Sequence, residues 1–168
     1  VDDNFATLVN AIEEGRNIYT RLVGAIKFLL ACNLGEVAYI SAAALFDLPI
    51  LTPFMILYIN LVTDGLPALA FAFADRVTGV MEELPRKVDQ FLGRVELKYM
   101  TLVGLAVAIL AYFGTWAFGI NSQYAPGVLF SSMILLQYVV IVDCWVAHKP
   151  VFGSLRMFGN IAFLLATL

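Results

Sequence analysis

Four stretches of this 168-residue chain stay apolar for about as long as it takes to cross a lipid bilayer, and that length restricts what the chain can fold into. A crossing needs about 20 apolar residues. Leu22–Phe46, Phe54–Phe73, Tyr99–Phe118 and Gly127–Ala147 meet that requirement, while a fifth run begins near Met157 and stops at Leu168, too short to cross. Hydrocarbon offers no partner for a backbone N–H or C=O, so each run must satisfy its own hydrogen bonds as a helix. The expected fold is therefore all-α: a polytopic membrane bundle with four full spans and a truncated fifth, its lipid bilayer taking the place of solvent. Composition agrees, since 61% of residues are hydrophobic and 14% charged, against about 25% charged in soluble domains. The net charge of −3 adds little. No basic cluster interleaved with aromatics points to nucleic acid. Cys32 and Cys144 both lie inside apolar runs and read as buried thiols rather than as a disulfide or a metal pair.

The basic residues set an orientation. Arg16, Arg21 and Lys27 precede or open the first span, and Arg76, Arg86, Lys87, Arg94 and Lys98 surround the second connection. Lys149 and Arg156 follow the fourth span, which completes all 10. The short connections Asp47–Pro53 and Gly119–Pro126 contain none. The positive-inside rule then puts the N-terminus and the connection at 74–98 in the cytoplasm.

Ahead of the first span, "VDDNFATLVNAIEEGRNIYTRLVGAIKF" contains no Pro, and Asp3 or Asn4 can cap a helix start. A helix unbroken from about Asn4 to Phe46 would extend roughly 64 Å, more than twice the hydrocarbon thickness of about 30 Å. Residues 1–21 are thus expected to form a cytoplasmic stalk and 22–168 a transmembrane domain. The competing reading is a separate amphipathic surface helix, favoured by Gly15 and Gly24, each costing about 1 kcal/mol in a helix. The first residue is Val, no signal peptide is visible, and charges come early. The chain reads as a piece of a longer protein.

Polar residues inside the spans carry the functional argument. A carboxylate at mid-bilayer costs on the order of 3 kcal/mol on insertion scales, and such residues normally face the bundle interior and mark an ion path. Asn33 and Glu36 flank the middle of the first span; Asn60, Thr63 and Asp64 share a face at the middle of the second; Gln137 marks the middle of the fourth. Gly65 and Pro67 follow immediately. Pro67 has no N–H for the carbonyl of Thr63, so a broken helix presenting carbonyls to a cation is expected here. Asn33, Glu36, Asn60, Thr63 and Asp64 offer a cation only oxygens, the set that hard ions prefer. Two carboxylates match one divalent ion, and five side chains approach the six to eight oxygens that calcium takes. Potassium and protons stay open on chemistry alone. The competing reading, interhelical polar glue, meets the difficulty that such bonds average about 0.6 kcal/mol. Asp143 lies toward the basic end of its span, near Lys149, and reads as structural; His148 reads as a surface residue.

These residues resemble a known family. "NLGEV" (Asn33–Val37) followed by "NLVTDGLPAL" (Asn60–Leu69) is similar to the fifth and sixth transmembrane helices of P-type ATPases, in the calcium-transporting, sarcoplasmic-reticulum-like branch. "DDNFATLVNAIEEGRNIY" resembles the stretch leaving the phosphorylation domain, and "MEELPRK" the loop between the sixth and seventh helices. The likeness covers most of the chain and is strongest over residues 2–87. It implies that Asn33, Glu36, Asn60, Thr63 and Asp64 are calcium ligands, with Asp64 shared where two ions bind. At the position where two-ion pumps use an acid from the eighth helix, the best match here is the neutral Gln137, which favours one calcium per cycle.

The resemblance implies an enzyme, an ATP-driven translocase moving Ca2+, whose ATP and Mg2+ act only through domains outside these residues. The phosphorylated DKTGT motif, the nucleotide domain, the GDGxND segment and the fourth helix do not occur here, so the chain holds no catalytic or cofactor-binding residue of its own. Its partners are then the remaining domains and helices of the parent pump. Two alternatives stand beside this one: a non-catalytic membrane subunit or regulator with a pump-like fold, and a pump for manganese. A coding region upstream of Val1 containing DKTGT would favour the pump; a start codon just before Val1 would favour the regulator.

Overall fold

A computed structural model describes residues 5–73, 81 and 93–146. The truncated fifth run, most of the 74–98 connection, His148 and Lys149 lie outside the described residues. Within them the chain forms four long helical segments and no strand: α1 (Phe5–Phe46), α2 (Pro53–Phe73), α3 (Arg94–Ala117) and α4 (Ala125–Val146). Each contains a window long and apolar enough to cross a membrane.

α1 runs for 42 residues without a break, about 63 Å at 1.5 Å per residue. Gly15 and Gly24 are absorbed inside it, so the separate surface helix does not form. The helix stops at Phe46 because Asp47 turns into the left-handed region at φ 53°, letting the Leu48 N–H reach back to the carbonyl of Ala43 at 3.1 Å. That 6→1 bond satisfies a terminal carbonyl that the helix would otherwise leave bare. Pro49 then prevents resumption. Three residues later α2 starts on Thr52, whose hydroxyl accepts the Met55 N–H at 3.3 Å, with Pro53 in the first helical position, where no N–H is needed. Gly119, at φ 98°, performs the corresponding stop after α3.

Packing centres on α1. Its Phe28, Ala31 and Cys32 are fully buried together with Ile59 of α2, Ala111 of α3, and Leu129, Met133 and Ile141 of α4. The most extensive pairing is α1 with α3, and it rests on two glycines. A Cβ on Gly35 would stand 3.0 Å from the Gly104 carbonyl oxygen, and one on Gly104 would stand 2.9 Å from that of Ala31. Small residues let helix backbones approach where no hydrophobic force drives them together. Two polar contacts fasten the end of the bundle that carries the basic residues: Lys27 pairs with Glu96 at 3.5 Å, and the Arg21 guanidinium donates to the Ala72 carbonyl at 3.4 Å, at the end of α2.

Leu57, Leu61, Leu66 and Leu69 of α2 and Leu102, Ile109 and Phe113 of α3 are more than half exposed or close to it. An apolar exterior around a buried polar centre is the inverse of a soluble domain and the arrangement a bilayer requires.

Candidate cation site

α2 does not unwind at Gly65 and Pro67, as the two helix breakers suggest. Asp64 and Gly65 both keep right-handed helical angles, φ −98° and −65°. The accommodation is a widened turn: Pro53–Tyr58 is α-helical, Ile59–Asp64 is a π-helix, and α-helical geometry returns over Gly65–Ala70 before a 3₁₀ end at Phe71–Phe73. The pyrrolidine ring of a helical Pro collides with the carbonyl four residues back, here that of Thr63. Spacing the turn by one extra residue gives that carbonyl room without breaking the helix. The turn holds Asn60, Thr63 and Asp64 together.

Three of the expected site residues, Asn60, Gln137 and, through Gln137, Thr63, join Glu36. Its Oε2 accepts the Asn60 amide at 2.9 Å and its Oε1 the Gln137 amide at 2.9 Å. Thr63 closes the circuit, its hydroxyl lying 2.9 Å from Gln137 Oε1 and 2.8 Å from the Ile59 carbonyl. Three helical segments, α1, α2 and α4, thus meet in one polar chain. Glu36 is 4% exposed, Thr63 6% and Gln137 2%. Asn33 stands one turn before Glu36 and is partly buried. Its amide donates to the Leu29 carbonyl at 2.8 Å, and no hydrogen bond links it to the chain above. The Asn60 amide likewise donates to its own helix, at the Ile56 carbonyl, 3.0 Å away. Both asparagines spend N–H groups on an i−4 carbonyl, which leaves the amide oxygen as the outward-facing end.

Asp64 differs from all of these. It is 1% exposed, and neither carboxylate oxygen has a hydrogen-bond partner. It lies within electrostatic reach of Glu36 and of Cys32. Leaving a buried acceptor unpaired costs about 1–3 kcal/mol, and more for a charged group. A carboxylate in that condition is a candidate ligand for a cation. Among the described residues no three of His, Cys, Asp and Glu cluster as a metal centre. The donor set is two carboxylates plus amide and hydroxyl oxygens. That set suits a hard cation held transiently better than a resident transition metal.

Three polar features were not anticipated from the sequence. Tyr99 donates its hydroxyl to Asp143, so the partner of that acid lies on α3. Tyr39, one turn beyond Glu36, donates to the Pro49 carbonyl at 3.1 Å and ties α1 to the connection that follows it. Arg21 closes the end of α2 as described above. Each depends on which neighbour a helix face meets, and spacing within one helix holds no trace of that.

The sequence model of the family described as "Cation transporting ATPase, C-terminus" matches residues 48–168. Among characterised proteins, the chain is 40% identical over 151 residues to a calcium-transporting ATPase of Bacillus subtilis, covering 86% of this chain and 17% of that protein. It is 41% identical over 126 residues to the endoplasmic reticulum calcium ATPase srcA of Aspergillus fumigatus, covering 73% and 13%. It is 37% identical over 137 residues to the endoplasmic reticulum-type calcium-transporting ATPase 3 of Arabidopsis thaliana, covering 79% and 14%. The chain therefore spans less than a fifth of the length of these relatives.

Proposed function

This chain belongs to the family of cation-transporting ATPase C-termini, and from that premise we propose that it forms the cation-binding membrane portion of an ATP-driven calcium pump. The observation that carries the reading is Asp64, a fully buried carboxylate with both oxygens unpartnered, in a site where Glu36 is already assembled. The relatives named above are calcium-transporting ATPases, and the carboxylate, amide and hydroxyl oxygens of Glu36, Asp64 and their neighbours favour the same ion. Glu36 and Asp64 supply two negative charges. Asn33, Asn60, Thr63 and Gln137 supply neutral oxygens toward the six to eight that calcium takes.

The ion is cargo, and a cation beside Asp64 would supply the partner that no protein donor gives this buried carboxylate. Release then requires the donors to separate. α1 suits that task, because one unbroken helix joins Glu36 to residues some 30 positions earlier. In this reading residues 1–21 form a cytoplasmic stalk, ATP and Mg2+ act in domains beyond this chain, and a shift or turn of α1 alters the distance from Glu36 to Asp64. A change in ligand geometry is a change in affinity, and a difference in affinity between two states is what couples an energy source to transport.

The test is Asp64→Asn in the full-length protein. Phosphorylation from ATP should lose its calcium dependence altogether, while expression and membrane insertion persist. Undiminished calcium dependence would overturn the assignment.

A further inference from the structure

Gln137 is bonded differently from the other two amides of the site, and the difference gives it freedom of movement. Asn33 and Asn60 each donate to a carbonyl of their own helix. Turning either amide over would set its oxygen against that carbonyl oxygen. Gln137 has no such anchor: its Nε2 donates to Glu36 Oε1, and its Oε1 faces the Thr63 hydroxyl. Thr63 in turn has one proton and two acceptors within reach, Gln137 Oε1 at 2.9 Å and the Ile59 carbonyl at 2.8 Å. When the proton points to Gln137, the amide must present its oxygen to Thr63 and its nitrogen to Glu36. When it points to Ile59, the hydroxyl oxygen becomes an acceptor, and the amide can present its nitrogen to Thr63 and its oxygen to Glu36. Both arrangements satisfy every group except one contact. In the second, two oxygens face each other across the gap between Gln137 and Glu36, which is unfavourable unless a cation lies against both.

The spacing fits a cation. The Gln137 amide nitrogen lies 2.9 Å from Glu36 Oε1; turned in place, the amide would put its oxygen there, and at calcium–oxygen distances of roughly 2.4 Å two oxygens so spaced subtend about 75° at the ion. Neighbouring equatorial ligands in the pentagonal-bipyramidal geometry that calcium often takes lie about 72° apart.

We propose that the Gln137 side-chain amide turns over between two states: donor to Glu36 when the site is empty, and oxygen ligand beside Glu36 when a cation is bound. The inference rests on the calcium-pump reading and deepens it. In the empty state the amide occupies the Glu36 oxygen that the ion will need. In the loaded state the same side chain adds a ligand, and its N–H group is retained by Thr63. Gln137 thereby opposes loading at low calcium and supports it once the ion has entered.

Two shape-conserving variants in the full-length pump separate this from a purely structural role. Gln137→Met offers neither donor nor oxygen, and Gln137→Glu offers oxygens at both ends and no donor. If the amide only steadies Glu36, both variants lose the same hydrogen bond and shift calcium dependence in the same direction. If it turns over, Met should raise the half-saturating calcium concentration at least fivefold and Glu should lower it at least threefold, with maximal turnover falling in the Glu variant as release slows. Shifts of like sign, or none, overturn the proposal. A spectroscopic measurement guards against failed assembly of either variant. With glutamine labelled by 13C at the side-chain carbonyl, calcium should shift one amide stretch in the wild-type pump to lower frequency, and Gln137→Met should lack that band. Absence of the shift in a calcium-responsive wild type overturns the proposal and leaves the pump reading intact. A wild type with no calcium response at all removes both.

Discussion

Residues 35 and 36 are neighbours on α1 and are built to opposite specifications. Gly35 is pressed against Gly104 so closely that neither position has room for a methyl group. Glu36 belongs to a polar cluster in which its own carboxylate is held only by side-chain amides and that of Asp64 by no hydrogen bond. The α1–α3 seam consists of dense backbone contact with nothing to gain from a ligand. The α1–α2–α4 polar cluster pairs a hydrogen-bonded carboxylate, Glu36, with an unpartnered one, Asp64. The contrast shows how close backbone packing in a membrane bundle can hold a neighbouring polar cluster in place. Packing fixes the axis of α1 at the very turn that carries Glu36, so the orientation of the carboxylate is inherited from a backbone contact that involves no polar side chain.

That comparison can be broken or sharpened by substitution. The largest effect belongs to the polar cluster, where Asp64→Asn is expected to remove calcium activation entirely. Next comes the seam. Gly104→Leu must displace α3 from Ala31 and Gly35, and overpacking of this kind typically costs 1–3 kcal/mol. It should lower the thermal midpoint of the detergent-solubilised protein by several degrees and also weaken calcium affinity, because Glu36 moves with the seam. A stability loss with unaltered affinity would show that the seam does not set the carboxylate. The smallest effect is expected at Tyr99→Phe, which deletes the hydroxyl that Asp143 accepts. Intrahelical-bundle hydrogen bonds are worth about 0.6 kcal/mol. A slight drop in stability with no change in calcium dependence is the expected result, and a change in calcium dependence would extend the site beyond the α1–α2–α4 polar cluster.

Much of this organisation is legible in the sequence, for identifiable reasons. The four apolar runs announce four helices because lipid leaves the backbone no other choice. The long α1 follows from a stretch free of Pro whose two glycines cost less than tertiary packing returns. The convergence of Glu36, Asn60, Thr63 and Gln137 follows from equal depth, since polar groups at the same level in hydrocarbon seek each other. The backbone at Gly65 and Pro67 was not legible. The residue pattern shows that a conflict exists at Thr63 but not whether the chain resolves it by unwinding or by a π turn, which differ by one residue of spacing. The seam was not legible either, because nothing within one helix shows that Gly35 and Gly104 stand face to face until the rotation of α1 against α3 is known. Tyr99 with Asp143 and Arg21 with Ala72 belong to the same class.

The central claim is that Glu36 and Asp64 serve one ion. Anomalous diffraction from calcium-soaked crystals of the full-length protein locates that ion directly. The account predicts a single peak within about 2.3–2.6 Å of Glu36 Oε1 and of an Asp64 carboxylate oxygen, at the distances calcium keeps to oxygen. A well-occupied calcium bound elsewhere in the membrane region, with these two carboxylates bare, would contradict it.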